Sequence, residues 1–221
     1  MNPQLVSWLT AAMLAWVPPQ QSNPGPEAQR YAELARDVLR VAYDPIERPL
    51  IEGAKGRSKT ALLIASIMGF ESAYRTDVQS GEKRGKAGDA CYMQVIVPKG
   101  KRIRLLFDPG SRRGFPPYHD TYEWVPYGAP VEESAWTTED LVGLDHVDNC
   151  IRTGVHIARE SFRICHDLSL YTSGLCNSDI KAKHREQRAK QHFKMHPAPV
   201  TDEEVQRSAS CADGGPCGAA G

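Results

Sequence analysis

A mainly α protein is predicted by three observations. Apolar residues recur at helical spacing in several separate stretches of the chain. One run, ALLIASIMGF, is apolar on nearly every side and reads as a helix buried all round. The one long stretch without periodicity, residues 97–136, is crowded with proline, glycine and aromatics and does not alternate as a set of strands would. The length of 221 residues suits one domain with short appendages, or at most two small ones. An apolar fraction of 41% can furnish a core, which excludes collagen-like, coiled-coil and disordered chains. The 27 basic and 27 acidic residues cancel, and that balance argues against a dedicated nucleic-acid binder.

The elements follow in order. Residues 5–17 (LVSWLTAAMLAWV) form an apolar segment that is shorter than the roughly 20 residues needed to cross a bilayer. No Lys or Arg precedes Arg30, so the segment reads as a packed or interfacial helix, with an atypical export signal as the alternative. Residues 18–26 (PPQQSNPGP) are a turn-rich linker. Tyr31, Leu34, Ala35, Val38, Leu39 and Ala42 then mark a helix that Asp44-Pro45 stops. A Gly/Lys-rich loop follows at residues 53–57. Ser58 reads as the N-cap of the buried helix, which runs to about Tyr74.

A polar loop covers residues 76–90 and ends in GDACYMQV; residues 97–136 read as an insertion of loops with room for a short hairpin. A third helix is expected from near Thr138, with Leu144, Val147, Ile151, Val155, Ala158, Phe162 and Cys165 on one face and Gly154 on the same stripe. Ser178 reads as the cap of a last, strongly basic helix to about Met195. The Pro/Ser/Gly/Ala-rich tail from Pro197 is expected to be mobile.

Six cysteines lack any Cys-x-x-Cys spacing, which speaks against a zinc ribbon or a redox pair. Cys165 with Cys176, Cys91 with Cys150, and Cys211 with Cys217 are candidate disulfides that would place the protein outside a reducing cytosol; buried free thiols are the alternative. The segment GAKGRSKT departs from a phosphate-binding loop, because Ser58 stands where the second glycine is required. His192 and His196 have a zinc-compatible spacing but no cysteine pair to complete four ligands, so no metal site is expected. Two basic clusters remain: Lys99, Lys101, Arg102, Arg104, Arg112 and Arg113 in the insertion, and Lys181, Lys183, Arg185, Arg188, Lys190 and Lys194 on the last helix. They read either as solvated faces or as sites for an anionic polymer or carboxylate partner.

Glu71 is the leading candidate for chemistry. A carboxylate at the end of a buried apolar helix is costly to ionise, and the negative end of the helix dipole acts in the same direction. Such a group stays protonated toward neutrality and can donate to a leaving oxygen. The ordinary alternative is a helix-end glutamate turned to solvent.

The ordered segments IASIMGFESAYR, GDACYMQV, CIRTGVHIARESF and LYTSGLC resemble a lysozyme-like lytic transglycosylase domain of the soluble type. Glu71-Ser72 matches the family's helix-end Glu-Ser and Met93-Gln94 its Gly-x-Met-Gln strand or turn. Residues 149–154 match its Asn-rich helix start, and Tyr171 with Gly174 its Tyr-Asn-x-Gly turn. The chain departs from that pattern at Cys91-Tyr92, where a glycine is usual, and at Thr172 in place of asparagine. The resemblance implies a lysozyme-like domain over residues 28–196 with a loop-rich insertion at about 97–137, preceded by the helix and linker of residues 1–27 and followed by the tail of 197–221.

It also implies peptidoglycan as partner, no cofactor, no nucleic acid, and a periplasmic, extracellular or virion location in a bacterial or phage setting. The reaction implied is cleavage of the MurNAc-β-1,4-GlcNAc bond. Glu71 would protonate the glycosidic oxygen while the muramic C6 hydroxyl attacks, leaving an anhydro product. Alternatives are a lysozyme-type hydrolase, with Asp77 or Asp89 as second carboxylate, and a wall-glycan-binding domain without turnover. Ser72 either orients the Glu71 carboxyl or simply ends the helix. Gln94 is a candidate contact to an acetamido group or muramyl oxygen, set against a plain strand-end amide; Tyr171 either positions the acid or the sugar ring or is a core tyrosine; Tyr92 and Met93 complete the candidate groove.

Overall fold

The computed structural model describes residues 1–18, 24–107, 121–128, 135–177, 179–205 and 207, with backbone alone for 24–28. Helix accounts for 57% of the described residues against 8% strand, so the protein is mainly α. The chain divides into two compact units: Met1–Ser66 with Arg188–Gly221, and Ile67–Gln187. Two helices carry the chain from one unit into the other, α3 (Gly56–Glu71) and α7 (Ile180–Met195).

In the first unit, α1 (Pro3–Trp16) starts where Asn2 Oδ1 accepts from the backbone N–H of Gln4 (2.9 Å) and Leu5 (3.4 Å), with proline in the first turn. It buries Leu5, Val6, Leu9, Ala12 and Met13. α2 (Pro24–Tyr43) opens earlier than the Tyr31 spacing indicates and buries Tyr31, Leu34, Ala35, Val38, Leu39 and Ala42, the stripe read from the sequence. Residues 19–23 of the expected linker lie outside the described residues.

α3 begins two residues before Ser58, so Ser58 is inside the helix and not its cap. The first-turn N–H of Arg57 is met from far along the chain, by Asp202 Oδ2 at 3.0 Å. That contact corrects the expectation of a mobile tail: Ala198 and Val205 are buried, and Lys55 Nζ donates to the Ala198 carbonyl at 2.7 Å. The tail beyond, with Cys211 and Cys217, lies outside the described residues. No helix among the described residues is long and apolar enough to cross a membrane.

In the second unit, the insertion carries an antiparallel sheet in the order β2-β1-β3, from β1 (Lys101–Leu105), β2 (Tyr122–Pro126) and β3 (Ala135–Trp136). Ile103 faces Trp124 and Trp136 in register, and Ile103, Leu105 and Tyr122 form a small core with Phe107 and Ile157. Arg104 of the insertion's basic cluster is paired with Glu123 across the sheet; Arg112 and Arg113 lie outside the described residues.

The helix expected from near Thr138, α5 (Val147–Cys165), starts later than that residue. The intervening residues form two single 3-10 turns (Glu139–Leu141 and Leu144–His146) separated by Gly143, whose φ of +105° a continuing helix cannot accept. Leu144 consequently sits outside the apolar stripe and is 63% exposed. The sheet docks on α5 through a reciprocal pair: Thr121 Oγ1 donates to the His156 carbonyl (2.8 Å), and His156 Nδ1 meets the Thr121 carbonyl (2.5 Å).

α5 ends at His166, in the left-handed region at φ +62°, and the Cys165–Cys176 disulfide closes the loop around the short α6 (Ser169–Ser173). Ser178, read as the cap of α7, lies outside the described residues. The second observed disulfide joins Cys91 to Cys150. Two such bonds are those of a protein that matures outside a reducing cytosol.

Candidate functional site

The middle of α3 is buried on every side, as its composition predicts, with Leu62, Leu63, Ile64, Ile67 and Met68 all inaccessible. The helix stops at Glu71 because Ala73 and Tyr74 turn into the left-handed region, at φ +50° and +55°. For residues with a Cβ this conformation costs roughly 1–3 kcal/mol each, and it persists where surrounding packing fixes it. Here the fully buried Tyr74 ring is that anchor. Ser72 Oγ donates back to the Met68 carbonyl at 2.9 Å, so it terminates the helix and does not hold the Glu71 carboxyl.

Glu71 itself is neither sealed nor solvated: its side chain is 19% exposed. Its Oε1 accepts from Arg185 Nη2 at 2.5 Å, whereas Oε2 has no hydrogen-bond partner among the described residues. Burial raises the carboxyl above the ordinary glutamate range, and Asp89 adds to that; Arg185 and Lys181 oppose it without cancelling it. Arg185 is 6% exposed, lies over the Phe70 ring at 5.0 Å and donates through Nη1 to the Lys181 carbonyl at 2.7 Å. It therefore does not belong to a solvated basic face. Of the two loop acids, Asp77 is engaged by the exposed Arg75, which holds its carboxyl below the ordinary range.

The Met-Gln segment is a closed turn. Ala90 and Val95 exchange backbone bonds at 3.0 and 2.9 Å, and Cys91 and Gln94 both adopt positive φ, +64° and +50°. Four of the six non-glycine positive-φ residues among those described flank this site, namely Ala73, Tyr74, Cys91 and Gln94. Gln94 Nε2 folds back onto the Cys91 carbonyl at 2.9 Å. Tyr92 is only 2% exposed, so its ring belongs to the core and does not line a groove, and its N–H donates to Gln79 Oε1 at 3.0 Å. Met93 is buried against Gly154 of α5, where a Cβ would come within 2.7 Å of Met93 Cγ. The Met93 N–H points at Cys150 Sγ at 3.4 Å, and its carbonyl accepts from the Tyr171 hydroxyl at 2.5 Å. Burial and the neighbouring Glu71 charge push that hydroxyl well above the usual tyrosine range. The lone glycine of the α6 turn, Gly174, ends that helix at φ +74°.

All four segments singled out in the sequence thus lie together in the second unit: the end of α3, the turn of residues 90–95, α5 through Cys150 and Gly154, and α6 through Tyr171. Two residues were missed. Gln79, fully buried in α4 (Thr76–Gln79), receives the Tyr92 N–H and donates to the carbonyls of Leu141 (3.0 Å) and Gly143 (2.8 Å). No pattern around it marks it. Arg185 did leave a signal: with Ala182, Ala189 and His192 it falls on a helical stripe, and all four are buried. Among the described residues no three of His, Cys, Asp or Glu gather as metal ligands. Compared with known proteins, the chain matches no family model, no curated protein and no solved structure.

Proposed function

We propose that the second unit is a lysozyme-like domain that cleaves peptidoglycan glycan strands at the MurNAc-β-1,4-GlcNAc bond, with Glu71 as a single acid/base. The observation that carries this reading is the half-open carboxyl: Glu71 is raised by burial, bonded through one oxygen, and left with the other available. In the reaction the Glu71 proton passes to the glycosidic oxygen as the C–O bond breaks and its electron pair stays with that oxygen. The muramic C6 hydroxyl bonds to the anomeric carbon and returns its proton to Glu71, which balances without a second carboxylate. The Gln94 Oε1, uncommitted among the described residues, faces the role of acceptor for an acetamido N–H. A hydrolytic variant would draw on Asp89, the loop acid whose charge reaches Glu71.

The Arg185 ion pair favours a second reading, a wall-glycan-binding domain in which Glu71 is structural. Clearing of purified cell walls by the wild-type chain and by Glu71→Gln separates the two. Loss of at least about 100-fold in the variant is expected for a general acid. Equal clearing by both chains removes Glu71 from the mechanism, and wall binding without clearing favours the second reading. Mass spectrometry of the released muropeptides distinguishes anhydro-muramyl from reducing ends.

A further inference from the structure

The Glu71 carboxyl is addressed asymmetrically. Oε1 receives the Arg185 guanidinium at 2.5 Å, and Oε2 receives nothing from the described residues. Arg185 cannot drift from this position, because its Nη1 is tied to the Lys181 carbonyl, its plane lies over Phe70, and it is 6% exposed. A guanidinium has no acceptor and does not lose its proton, so it can only donate to Oε1, and the acid's proton is favoured on the other oxygen.

We propose that Arg185 is a positioning residue for Glu71: it fixes Oε1, favours the transferable proton on Oε2, and stabilises the carboxylate that remains once the proton has gone to the leaving oxygen. The inference rests on the acid/base reading for its consequence in turnover, but the contact between the two side chains can be tested without turnover. Other charged or titratable groups act on this carboxyl or on its neighbour: Lys181 on α7, Asp89 in the loop, and the Tyr171 hydroxyl on α6. All of them are kept in the variants below, so a change reports Arg185.

The experiment uses the full chain with 13C-labelled glutamate carboxyls, comparing wild type, Arg185→Met and Arg185→Lys, with Glu71→Gln assigning the Glu71 resonance. Removing the cation takes away a factor that lowers the Glu71 pKa, so in Arg185→Met the resonance should titrate at higher pH. Arg185→Lys keeps the charge and should titrate close to wild type; if the Met variant fails to fold, the kcat loss expected of Arg185→Lys below takes its place, and an unchanged kcat there overturns the inference.

Turnover on purified glycan strands gives the second readout. Cleavage needs the protonated acid and falls as pH rises through its pKa, so the falling limb should move to higher pH in Arg185→Met. At the plateau, kcat should drop on the order of 10- to 100-fold in Arg185→Met, and in Arg185→Lys as the planar fork is lost, with KM nearly unchanged. An unmoved Glu71 titration in Arg185→Met overturns the inference, as does a loss confined to KM. If the wild-type chain has no turnover, the cleavage reading fails, and the titration alone still decides whether Arg185 holds the carboxyl.

Discussion

The two ends of α3 each carry a carboxylate, and they are treated in opposite ways. At the N-terminal end, in the first unit, both oxygens of Asp202 are occupied: Oδ2 by the Arg57 N–H, Oδ1 by the Tyr43 hydroxyl (2.9 Å) and the Ser58 hydroxyl (3.3 Å). A negative charge there also meets the positive end of the helix dipole. At the C-terminal end, in the second unit, Glu71 faces the negative end of the dipole, has one oxygen bonded, and is followed by two left-handed residues; the same unit holds the Cys91–Cys150 disulfide and the buried Gln79 amide. A carboxylate that serves stability is saturated with donors and placed where the helix favours charge. One suited to proton transfer is left unsaturated where the helix disfavours charge, and other groups must supply the stability it does not.

That contrast makes the scaffold around Glu71 the expensive part of the molecule. The largest effect is expected from Cys91→Ala with Cys150→Ala, which opens a link across 59 residues of sequence. About 2–5 kcal/mol of stability should be lost in denaturant melts, with fast amide exchange appearing over residues 90–95. Gln79→Ala should come next. It strands the Tyr92 N–H and the Leu141 and Gly143 carbonyls, and should lower the denaturation midpoint by the equivalent of about 2–3 kcal/mol. Asp202→Ala should be mildest, about 1 kcal/mol, because water can reach part of the first turn it caps. Glycan turnover should survive that change while falling in the first two. An Asp202 variant more damaging than the Gln79 variant would break the comparison, and unchanged exchange in the disulfide variant would show that the turn holds itself.

Legibility followed the range of the interaction. The stripes of α2 and α5 and the all-round apolarity of α3 were readable, because periodicity reports which side of a helix is buried and needs no partner to be named. The short spacing of Cys165 and Cys176 suits the loop-closing bond that is observed, and Cys91–Cys150 is observed joining distant segments, whereas Ser58 is not the cap because an acid 144 residues away does that work. Tyr92 was misread as a groove residue. It follows the polar loop of residues 76–90, but Gln79 and the disulfide turn it into the core.

By itself the sequence determined the helical class and the buried helix that ends in Glu71, because hydrophobic spacing and backbone preferences act within a few residues; the other segments of the candidate site entered only through a resemblance of motifs. Only the tertiary structure decided that Arg185 takes one oxygen of Glu71, that Gln79 braces the Met93 turn, and that Asp202 anchors the start of α3. Each of those is a hydrogen bond between residues far apart in the chain. Such a bond's strength depends on distance and burial, quantities that exist only once the chain has folded.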